Sequence, residues 1–310
     1  MELTTAEIRR AVRAALAEDI GSGDVTTLAT VPPDAKSVAL MRAREPLTVA
    51  GIQFAEIAFY ELAQSDFRTD EFHESPKLAK SGTRGTRPSD LVITIEKLSR
   101  DGQRAKAGDT LLKISGSSRA ILSAERVALN FVQRLSGVAT ATAQFVDAIQ
   151  GTSAKILDTR KTTPGWRRFE KYAVACGGGK NHRLGLFDMV LIKDNHLVAL
   201  QNEKPNAIAA AVLRSRKKFP KLKIEVEADT LEQVAQATDA GADIILLDNM
   251  TPTQLRQAVK IIRGRAKTEA SGGVNLKTVR KIAATGVDFI SVGAITHSAR
   301  AVDIGLDFEN

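Results

Sequence analysis

The chain has 310 residues, of which 43% are hydrophobic and 26% are charged, and its 44 Lys and Arg against 36 Asp and Glu give a net charge of +8. This composition is typical of a soluble globular chain with one large or two medium domains, and no apolar run reaches the ~20 residues of a membrane-spanning helix. The positive charge is compatible with nucleic acids or with small polyanions as ligands. Because aromatic residues make up only 5% of the chain and no nucleic-acid-binding signature is present, small anions are favoured.

The first hundred residues mix helical and strand patterns. Residues 4–19 predict an amphipathic helix rather than a signal peptide, and a glycine turn ends it near residue 21. A strand over 36–43 and a helix over 51–63 follow. The polar, turn-rich segment 66–90 predicts a long exposed loop, and its part from Phe72 to Asp90 has no evident role. Strands over 91–98 and 110–114 come next.

A long apolar helix over 117–149 precedes a change of pattern to strict strand and helix alternation. The predicted strands are Lys155–Asp158, Met189–Lys193, Lys223–Glu227, Ile244–Asp248, Thr268–Ser271 and Phe289–Gly293. The predicted helices between them are Ala207–Lys218, Leu231–Ala240, Pro252–Arg263 and Leu276–Thr285. This alternation predicts a parallel sheet, either open or closed into a barrel.

Each of these strands is apolar until its last residues and then becomes polar. The polar ends include Asp158, Lys193, Glu227, Asp248 and Ser271. Since the carboxyl ends of parallel strands converge on one face, these residues predict a site on that face.

The stretch from Asp158 to His196 carries the densest cluster of cations. Arg and Lys beside the flexible glycines Gly177–Gly179 suit a carboxylate or phosphate ligand, although Arg-rich stretches are also common on solvated surfaces. The flanking strands favour the ligand site. The lone cysteine, Cys176, excludes an intramolecular disulfide, is interpreted as structural, and fits a reducing, cytoplasmic compartment.

Two late strand ends are rich in glycine, at Ser271–Gly273 and Val292–Ala294, and predict close backbone approach to a phosphate. Glu227 and Asp248 either neutralise the cations or hold Mg²⁺, and both interpretations are open from the residues alone. His182 lies in the glycine-rich loop and is expected to contact a ligand. His73, His196 and His297 are not expected to be catalytic.

These pieces together resemble the quinolinate phosphoribosyltransferase family, in order and over nearly the whole chain. The matching segments are Glu18–Thr27, Ala43–Gly51, Ser123–Thr142, Asp158–Gly165, Glu170–Leu186, Leu191–His196, Glu225–Gln233, Leu246–Met250, Glu269–Asn275 and Gly286–Phe308. The chain departs from the family in the segment Phe72–Asp90, which looks longer than the family's pattern.

The resemblance implies an α/β fold of the type II phosphoribosyltransferase kind. An N-terminal α/β sandwich domain is expected over residues 1–122 and an incomplete, open β/α barrel over 123–302, with the tail 303–310 returning to the first domain. The family's barrel is usually described as seven-stranded, whereas the residues here predict six strands. A homodimer or dimer-based oligomer with a shared active site is also implied.

The resemblance further implies a reaction in which quinolinate and phosphoribosyl diphosphate give nicotinate mononucleotide, diphosphate and CO2, with Mg²⁺ and no organic cofactor, in NAD biosynthesis. Lys161, Glu227 and Asp248 would be catalytic, and the two acids would bind the ribose hydroxyls and the metal, directly or indirectly. The implied contacts to the pyridine dicarboxylate are Arg126 from the partner, Thr159, Arg160, Lys161, His182, Arg183 and Lys193. The implied contacts to the 5′-phosphate are Ser271, Gly272, Gly273, Val292, Gly293 and Ala294.

Three alternatives remain open at this stage. A sister phosphoribosyltransferase would use nicotinate or another acceptor, and a related protein accompanies some molybdenum-transport genes. A phosphate-binding aldolase or isomerase would share the scaffold, although a Schiff-base lysine needs an apolar pocket and Lys161 and Lys193 have charged neighbours. A non-catalytic anion-binding protein is the third. No nucleic acid or membrane partner is expected.

Overall fold

The structure is a computed structural model, and it describes residues 2–64 and 93–309. The predicted long loop at 66–90, His73, and the first two residues of the strand predicted over 91–98 lie outside these residues. The chain divides into two compact units, one formed by Met1–Thr140 with Arg300–Asn310 and the other by Ala141–Ala299.

The helices and strands follow the predicted order closely. The helices are α1 (Thr5–Ile20), α2 (Val25–Thr30), α3 (Ile52–Gln64), α4 (Ser118–Ala148), α5 (Arg167–Cys176), α6 (Asp194–Val198), α7 (Ala207–Lys218), α8 (Leu231–Asp239), α9 (Pro252–Ile262), α10 (Val279–Ala283) and α11 (Ala294–His297). The strands are β1 (Lys36–Ala43), β2 (Leu47–Thr48), β3 (Thr94–Lys97), β4 (Arg104–Ala105), β5 (Thr110–Ser117), β6 (Lys155–Leu157), β7 (Val190–Ile192), β8 (Ile224–Ala228), β9 (Ile244–Asp248), β10 (Lys267–Ser271), β11 (Phe289–Ser291) and β12 (Ile304–Glu309).

The first unit is an antiparallel sheet packed with helices, as expected for an α/β sandwich. Its four main strands run in the order β12-β1-β5-β3, and β1 is hydrogen-bonded to both β5 and β12. Helix α1 begins at a capping box in which Thr4 accepts a hydrogen bond from the Glu7 backbone N–H, because the first helical N–H groups have no partner within the helix. The apolar stripe of α1 is fully buried.

An ion-paired carboxylate joins α1 to α3 within this unit. Glu61 of α3 contacts Arg9 at 2.8 Å and Arg13 at 2.5 Å, and its side chain is only 9% exposed. The two arginines are about half exposed. The two ion pairs with Glu61 therefore orient the helices relative to each other more than they stabilise the fold.

Helix α4 is continuous from Ser118 to Ala148, and its residues fall in both units. The domain boundary drawn from the sequence between residues 122 and 123 lies inside this helix, near its start.

The second unit is an open β/α barrel. Its six parallel strands run in the order β6-β11-β10-β9-β8-β7, which places β6 and β7 at the two ends of the sheet. The prediction of six strands is therefore confirmed for the part of the chain that the structure describes. The seventh strand implied by the family resemblance is absent from the described residues, and Leu157 of β6 makes a single parallel bridge with Lys180.

The helices of the barrel begin where the sequence supplies a side-chain acceptor. Thr230 caps α8 and Thr251 caps α9, each in a capping box with a glutamine three residues later. These caps fix the turns that follow β8 and β9, and the carboxyl end of each strand therefore points to one face of the unit. Within residues 2–64 and 93–309, no helix has both the length and the apolar character needed to cross a membrane.

Candidate active site

A cavity of about 680 Å³ opens at the carboxyl ends of the barrel strands. Fourteen of the fifteen residues implied by the sequence line it: Thr159, Arg160, Lys161, His182, Arg183, Lys193, Glu227, Asp248, Ser271, Gly272, Gly273, Val292, Gly293 and Ala294. The fifteenth, Arg126, belongs to the other unit, where it is exposed on α4. The parallel sheet therefore brings together residues that are up to 135 positions apart, between Thr159 and Ala294.

A cavity of similar size, about 620 Å³, lies in the first unit beside α3. Its charges serve the fold, because Lys97 pairs with Glu56 at 3.2 Å and Asp101 accepts the backbone N–H groups of Gly51 and Ile52. It lacks the concentration of cations found in the barrel cavity, which is the candidate active site.

Arginine side chains form one wall of the barrel cavity. Arg160 follows β6, and its Nε is buried without a hydrogen-bond partner among the described residues. Arg183 donates from Nη1 to the carbonyl of Met189 at 3.2 Å, and burial followed by the charge of Arg160 lowers its pKa. Two partly buried guanidinium groups that repel each other favour an anionic ligand between them.

A buried ion pair holds the loop that carries His182. The Lys171 ammonium group of α5 contacts the carboxylate of Asp158, and both side chains are fully buried. Asp158 also accepts the backbone N–H of His182 at 2.8 Å and the side-chain amide of Asn181 at 2.7 Å. Burial raises the pKa of Asp158 and lowers that of Lys171, against their mutual attraction. Asp158 and Lys171 thus hold the glycine-rich loop in place, and neither residue lines the cavity.

The imidazole of His182 faces two buried carboxylates. Its Nε2 lies 3.0 Å from Oε2 of Glu225 and 3.6 Å from Oε1 of Glu269, and its Nδ1 accepts the backbone N–H of Arg183 at 2.7 Å. Both ring nitrogens are therefore engaged within the protein. A contact from a ring nitrogen to a ligand anion would have to break one of these interactions.

Glu225 and Glu269 are 0% and 1% exposed, and the pKa of Glu269 is raised to about 8 by burial and by the charge of Glu225. Burial alone would lower the pKa of His182, but the hydrogen bond and charges of the two glutamates raise it overall. The sequence analysis did not predict these acids as site residues. The signal that could have identified them is alternation, since Glu225 shares a strand face with Glu227, and Glu269 shares one with Ser271.

The two glycine-rich strand ends lie side by side in the cavity wall. Gly272 has φ +91°, and a Cβ there would overlap the side chain of Asn249. At Gly293 a Cβ would lie 3.1 Å from the ring of His297 and 3.2 Å from the side chain of Lys161. Only glycine fits at position 272, and at position 293 a larger residue would require the side chains of His297 and Lys161 to shift. The backbone at both positions is therefore open to a ligand group such as a phosphate.

Further lining residues were not predicted as site residues from the sequence. They are Leu191, Leu246, Asn249, Glu269, Val274, Ser291 and His297. Most are apolar or small residues close in the chain to a predicted site residue, and for these that closeness was the available signal, whereas Glu269 could have been identified by alternation along its strand.

Glu227 and Asp248 suit a hard divalent cation. They lie near the carboxyl ends of the neighbouring strands β8 and β9, where Glu227 contacts the ammonium group of Lys193 and Asp248 accepts a hydrogen bond from the side-chain amide of Asn249 at 2.7 Å. Each retains an oxygen for other ligands. Mg²⁺ typically uses one or two carboxylates together with substrate phosphates, and the donor set fits that pattern.

Comparison with known proteins gives one consistent family. Family models described as "Quinolinate phosphoribosyl transferase, N-terminal domain" and "C-terminal domain" match residues 24–136 and 138–307. The chain is 42% identical over 303 residues to a nicotinate-nucleotide pyrophosphorylase (carboxylating) of Mycobacterium leprae, covering 96% of each protein. It is 40% identical to the chloroplastic enzyme of that name from Arabidopsis thaliana, covering 98% of this chain and 84% of that one. The solved structure of the Francisella tularensis nicotinate-nucleotide pyrophosphorylase superposes with a TM-score of 0.85 at 38% identity, covering 99% and 98% of the two chains.

Proposed function

The chain belongs to the quinolinate phosphoribosyltransferase family, and from this we propose that it transfers phosphoribosyl from phosphoribosyl diphosphate to quinolinate. The products are nicotinate mononucleotide, diphosphate and CO2, a step of NAD biosynthesis. The observation that carries the proposal is the buried Nε of Arg160, which has no hydrogen-bond partner in residues 2–64 and 93–309, in a cavity that also contains Arg183 and Lys193. Quinolinate has two adjacent carboxylates, which match such a set of cations.

The cavity's residues divide between the two substrates. Arg160, Arg183 and Lys193, with Thr159, hold the pyridine dicarboxylate, and Arg126 is supplied by the partner in a homodimer. The glycine-rich ends at Ser271–Gly273 and Val292–Ala294 take the 5′-phosphate, because their backbone is exposed to close approach. Lys161 lies against Gly293 and reaches toward the diphosphate.

The protein's main contribution is to bring two anions together that repel each other in solution. Departure of diphosphate leaves positive charge on the ribosyl C1′, and Glu227 and Asp248 stabilise that charge. The pyridine nitrogen then bonds to C1′. Glu227 and Asp248 would also hold Mg²⁺, which when bound neutralises charge on the departing diphosphate. A cytoplasmic location suits these soluble, charged substrates.

The experiment that tests the proposal measures nicotinate mononucleotide formation from phosphoribosyl diphosphate and Mg²⁺, with quinolinate and nicotinate as parallel acceptors. Product from quinolinate alone, with an equal amount of CO2, is the expected result. Product from nicotinate alone would assign the chain to a sister enzyme. No product from either acceptor would contradict a transferase function for this cavity.

A further inference from the structure

The proposed reaction requires an acid at one particular carbon. When the 2-carboxylate of the ribosylated pyridine leaves as CO2, the electron pair of the C–C bond remains on C2. The product carries hydrogen at this position, so C2 must receive a proton. A general acid for this step has to line the cavity and hold a proton near neutral pH.

Glu269 meets both requirements by its position. It lines the cavity from β10, its side chain is 1% exposed, and its Oε1 has no hydrogen-bond partner among the described residues. The neighbouring carboxylate of Glu225 on β8 is fully buried, and its Oε2 lies 3.0 Å from Nε2 of His182. One oxygen of each carboxylate and Nε2 of His182 lie within 4.8 Å of one another.

Two buried carboxylates at this distance do not both ionise unless each is compensated. Among the described residues, Arg183 acts on Glu225 and His182 faces both acids, so the second carboxylate needs a charged His182 or a bound proton. The two glutamates raise the pKa of His182, but the Arg183 backbone N–H donates to Nδ1. The proton of the neutral ring is therefore assigned to Nε2, and Nδ1 cannot take a second proton while this hydrogen bond is kept. The compensating proton therefore belongs to a carboxyl group. Glu225 is the acceptor nearest to Nε2–H, which leaves the proton with Glu269.

The same three side chains have the donor types of a metal site. A metal at Nε2 would need the ring proton on Nδ1, where the N–H of Arg183 opposes it. The geometry thus favours a bound proton over a bound metal in this cluster.

We propose that Glu269 is the general acid that protonates C2 of the ribosylated pyridine as CO2 leaves. The inference rests on the proposed function. In the step, the C2–carboxylate bond breaks with its electrons remaining on C2, a C2–H bond forms with the proton of the Glu269 carboxyl, and Glu269 becomes a carboxylate. A proton from water restores the acid for the next turnover.

The groups that face Glu269 set the pH range of the step. Glu225 on β8 and the burial of the site hold the proton on Glu269, whereas His182 and the hydroxyl of Ser291 on β11 favour its ionised form. Asp248 lies at the end of β9, the strand between β8 and β10, and adds negative charge on the cavity side. The acid form is present below the Glu269 pKa of about 8 and is lost above it.

The test separates the two halves of the reaction. Diphosphate, CO2 and the nucleotide product are measured in a single turnover with enzyme in excess, for the unaltered protein, Glu269→Gln, Glu269→Asp and Glu225→Gln. In Glu269→Gln we expect diphosphate release within about threefold of normal, with CO2 formation slowed ~10²–10⁴-fold, as for loss of a general acid. A nucleotide that retains both carboxylates should accumulate.

The other variants are matched controls for charge and packing. Glu269→Asp keeps an acid and should recover CO2 formation at least tenfold over Glu269→Gln, by the general-acid scale. Glu225→Gln is the same isosteric change at a residue that does not line the cavity, and because it removes the charge that holds the proton on Glu269, it should lower the pH above which CO2 formation falls. CO2 formation by the unaltered protein should fall above pH ~8, and Glu269→Gln should lack this dependence.

Equal slowing of diphosphate and CO2 in Glu269→Gln would overturn the proposal and assign Glu269 a structural role. Normal CO2 formation in that variant would overturn it as well. If Glu269→Gln does not fold, CO2 formation by the unaltered protein that does not fall above pH ~8 would count against the acid. Failure of the unaltered protein to release diphosphate from quinolinate would instead contradict the proposed function.

Discussion

The ammonium group of Lys193 contacts the carboxylate of Glu227 across the ends of the neighbouring strands β7 and β8. One of the cavity's cations is therefore already partly neutralised by a residue of the same cavity. An arriving carboxylate has to compete with Glu227 for Lys193, whereas Arg160 has a guanidinium nitrogen without a partner among the described residues. The two cations should therefore respond differently to substrate.

Arg160→Ala and Lys193→Ala should each lower turnover with quinolinate by ~2–4 orders of magnitude while the fold survives, because each removes a charge that orients or stabilises the anionic substrate. The measurement is steady-state kinetics beside thermal unfolding. Arg265→Ala is the matched control, since Arg265 pairs with exposed Asp239 away from the cavity. Near-normal turnover in either cavity variant would remove that residue from the site.

Asp248→Asn should abolish most of the dependence of phosphoribosyl diphosphate binding on Mg²⁺. The neutral amide retains the shape of Asp248 but is a weaker ligand for a hard cation. We expect the Mg²⁺-dependent gain in affinity for phosphoribosyl diphosphate to fall about tenfold, which corresponds to about 1.4 kcal/mol. Calorimetric titration with and without Mg²⁺ measures it. Asp239→Asn, at an exposed surface pair, is the control, and an unchanged Mg²⁺ effect in Asp248→Asn would exclude Asp248 as a ligand.

Gly272→Ala should weaken the binding of phosphoribosyl diphosphate at least tenfold, or by about 1.4 kcal/mol. The added methyl group overlaps the side chain of Asn249 and occupies a backbone with φ +91°. Gly264→Ala is the control for backbone strain, because Gly264 also has positive φ but its Cβ would enter open space. If both variants bind equally, the crowding at Asn249 has no consequence for the ligand.

Lys171→Met should reduce the free energy of unfolding by about 3–5 kcal/mol, because it leaves the buried carboxylate of Asp158 without its cation. Denaturant unfolding measures the loss. Lys267→Met is the control, because Lys267 pairs with Asp288 on the surface. This substitution should lower the free energy of unfolding by less than about 1 kcal/mol. Adding Asp158→Asn to Lys171→Met should recover part of the loss, and failure to do so would show that packing rather than charge sets the cost.

Stability in acid should depend on Glu45. Its carboxylate accepts hydrogen bonds from Arg300 and from the backbone N–H of Asp303, which lower its pKa from 4.5 to about 2. The folded state thus binds this proton less readily than the unfolded state. The contribution is complete above pH ~5 and is lost as pH falls through 4.5 toward 2. Unfolding followed between pH 6 and 3 should show a steeper decline for the unaltered protein than for Glu45→Gln, and equal slopes would contradict the role of Glu45.

The strands of the barrel were predictable because each is an apolar run that ends in polar residues, and β9 has the predicted bounds Ile244–Asp248. The cavity was predictable for the same reason, since parallel strands bring their ends together. The pairing of Glu225 with Glu269 was not, because the two acids are on β8 and β10 and meet across β9. Strand order is a property of the whole sheet, and no local pattern reports it.

The role of Lys171 was also beyond sequence reasoning. Lys171 is one of several cations in the stretch Asp158–His196. The composition of that stretch does not distinguish a buried lysine from an exposed one. In the structure Lys171, on α5, contacts the buried carboxylate of Asp158, whereas Arg160 and Arg183, which lie outside that helix, line the cavity.

The pairing of β12 with β1 has a consequence for how the chain acquires its structure during synthesis. Six residues of β1 are paired with β12, which the ribosome makes only after all of residues 141–299. Until then one side of β1 carries unpaired backbone groups, and the second unit can fold while the first still has this open edge. The first unit to be translated is therefore the last to complete its sheet, and its exposed edge is where a nascent chain would be most open to pairing with another copy.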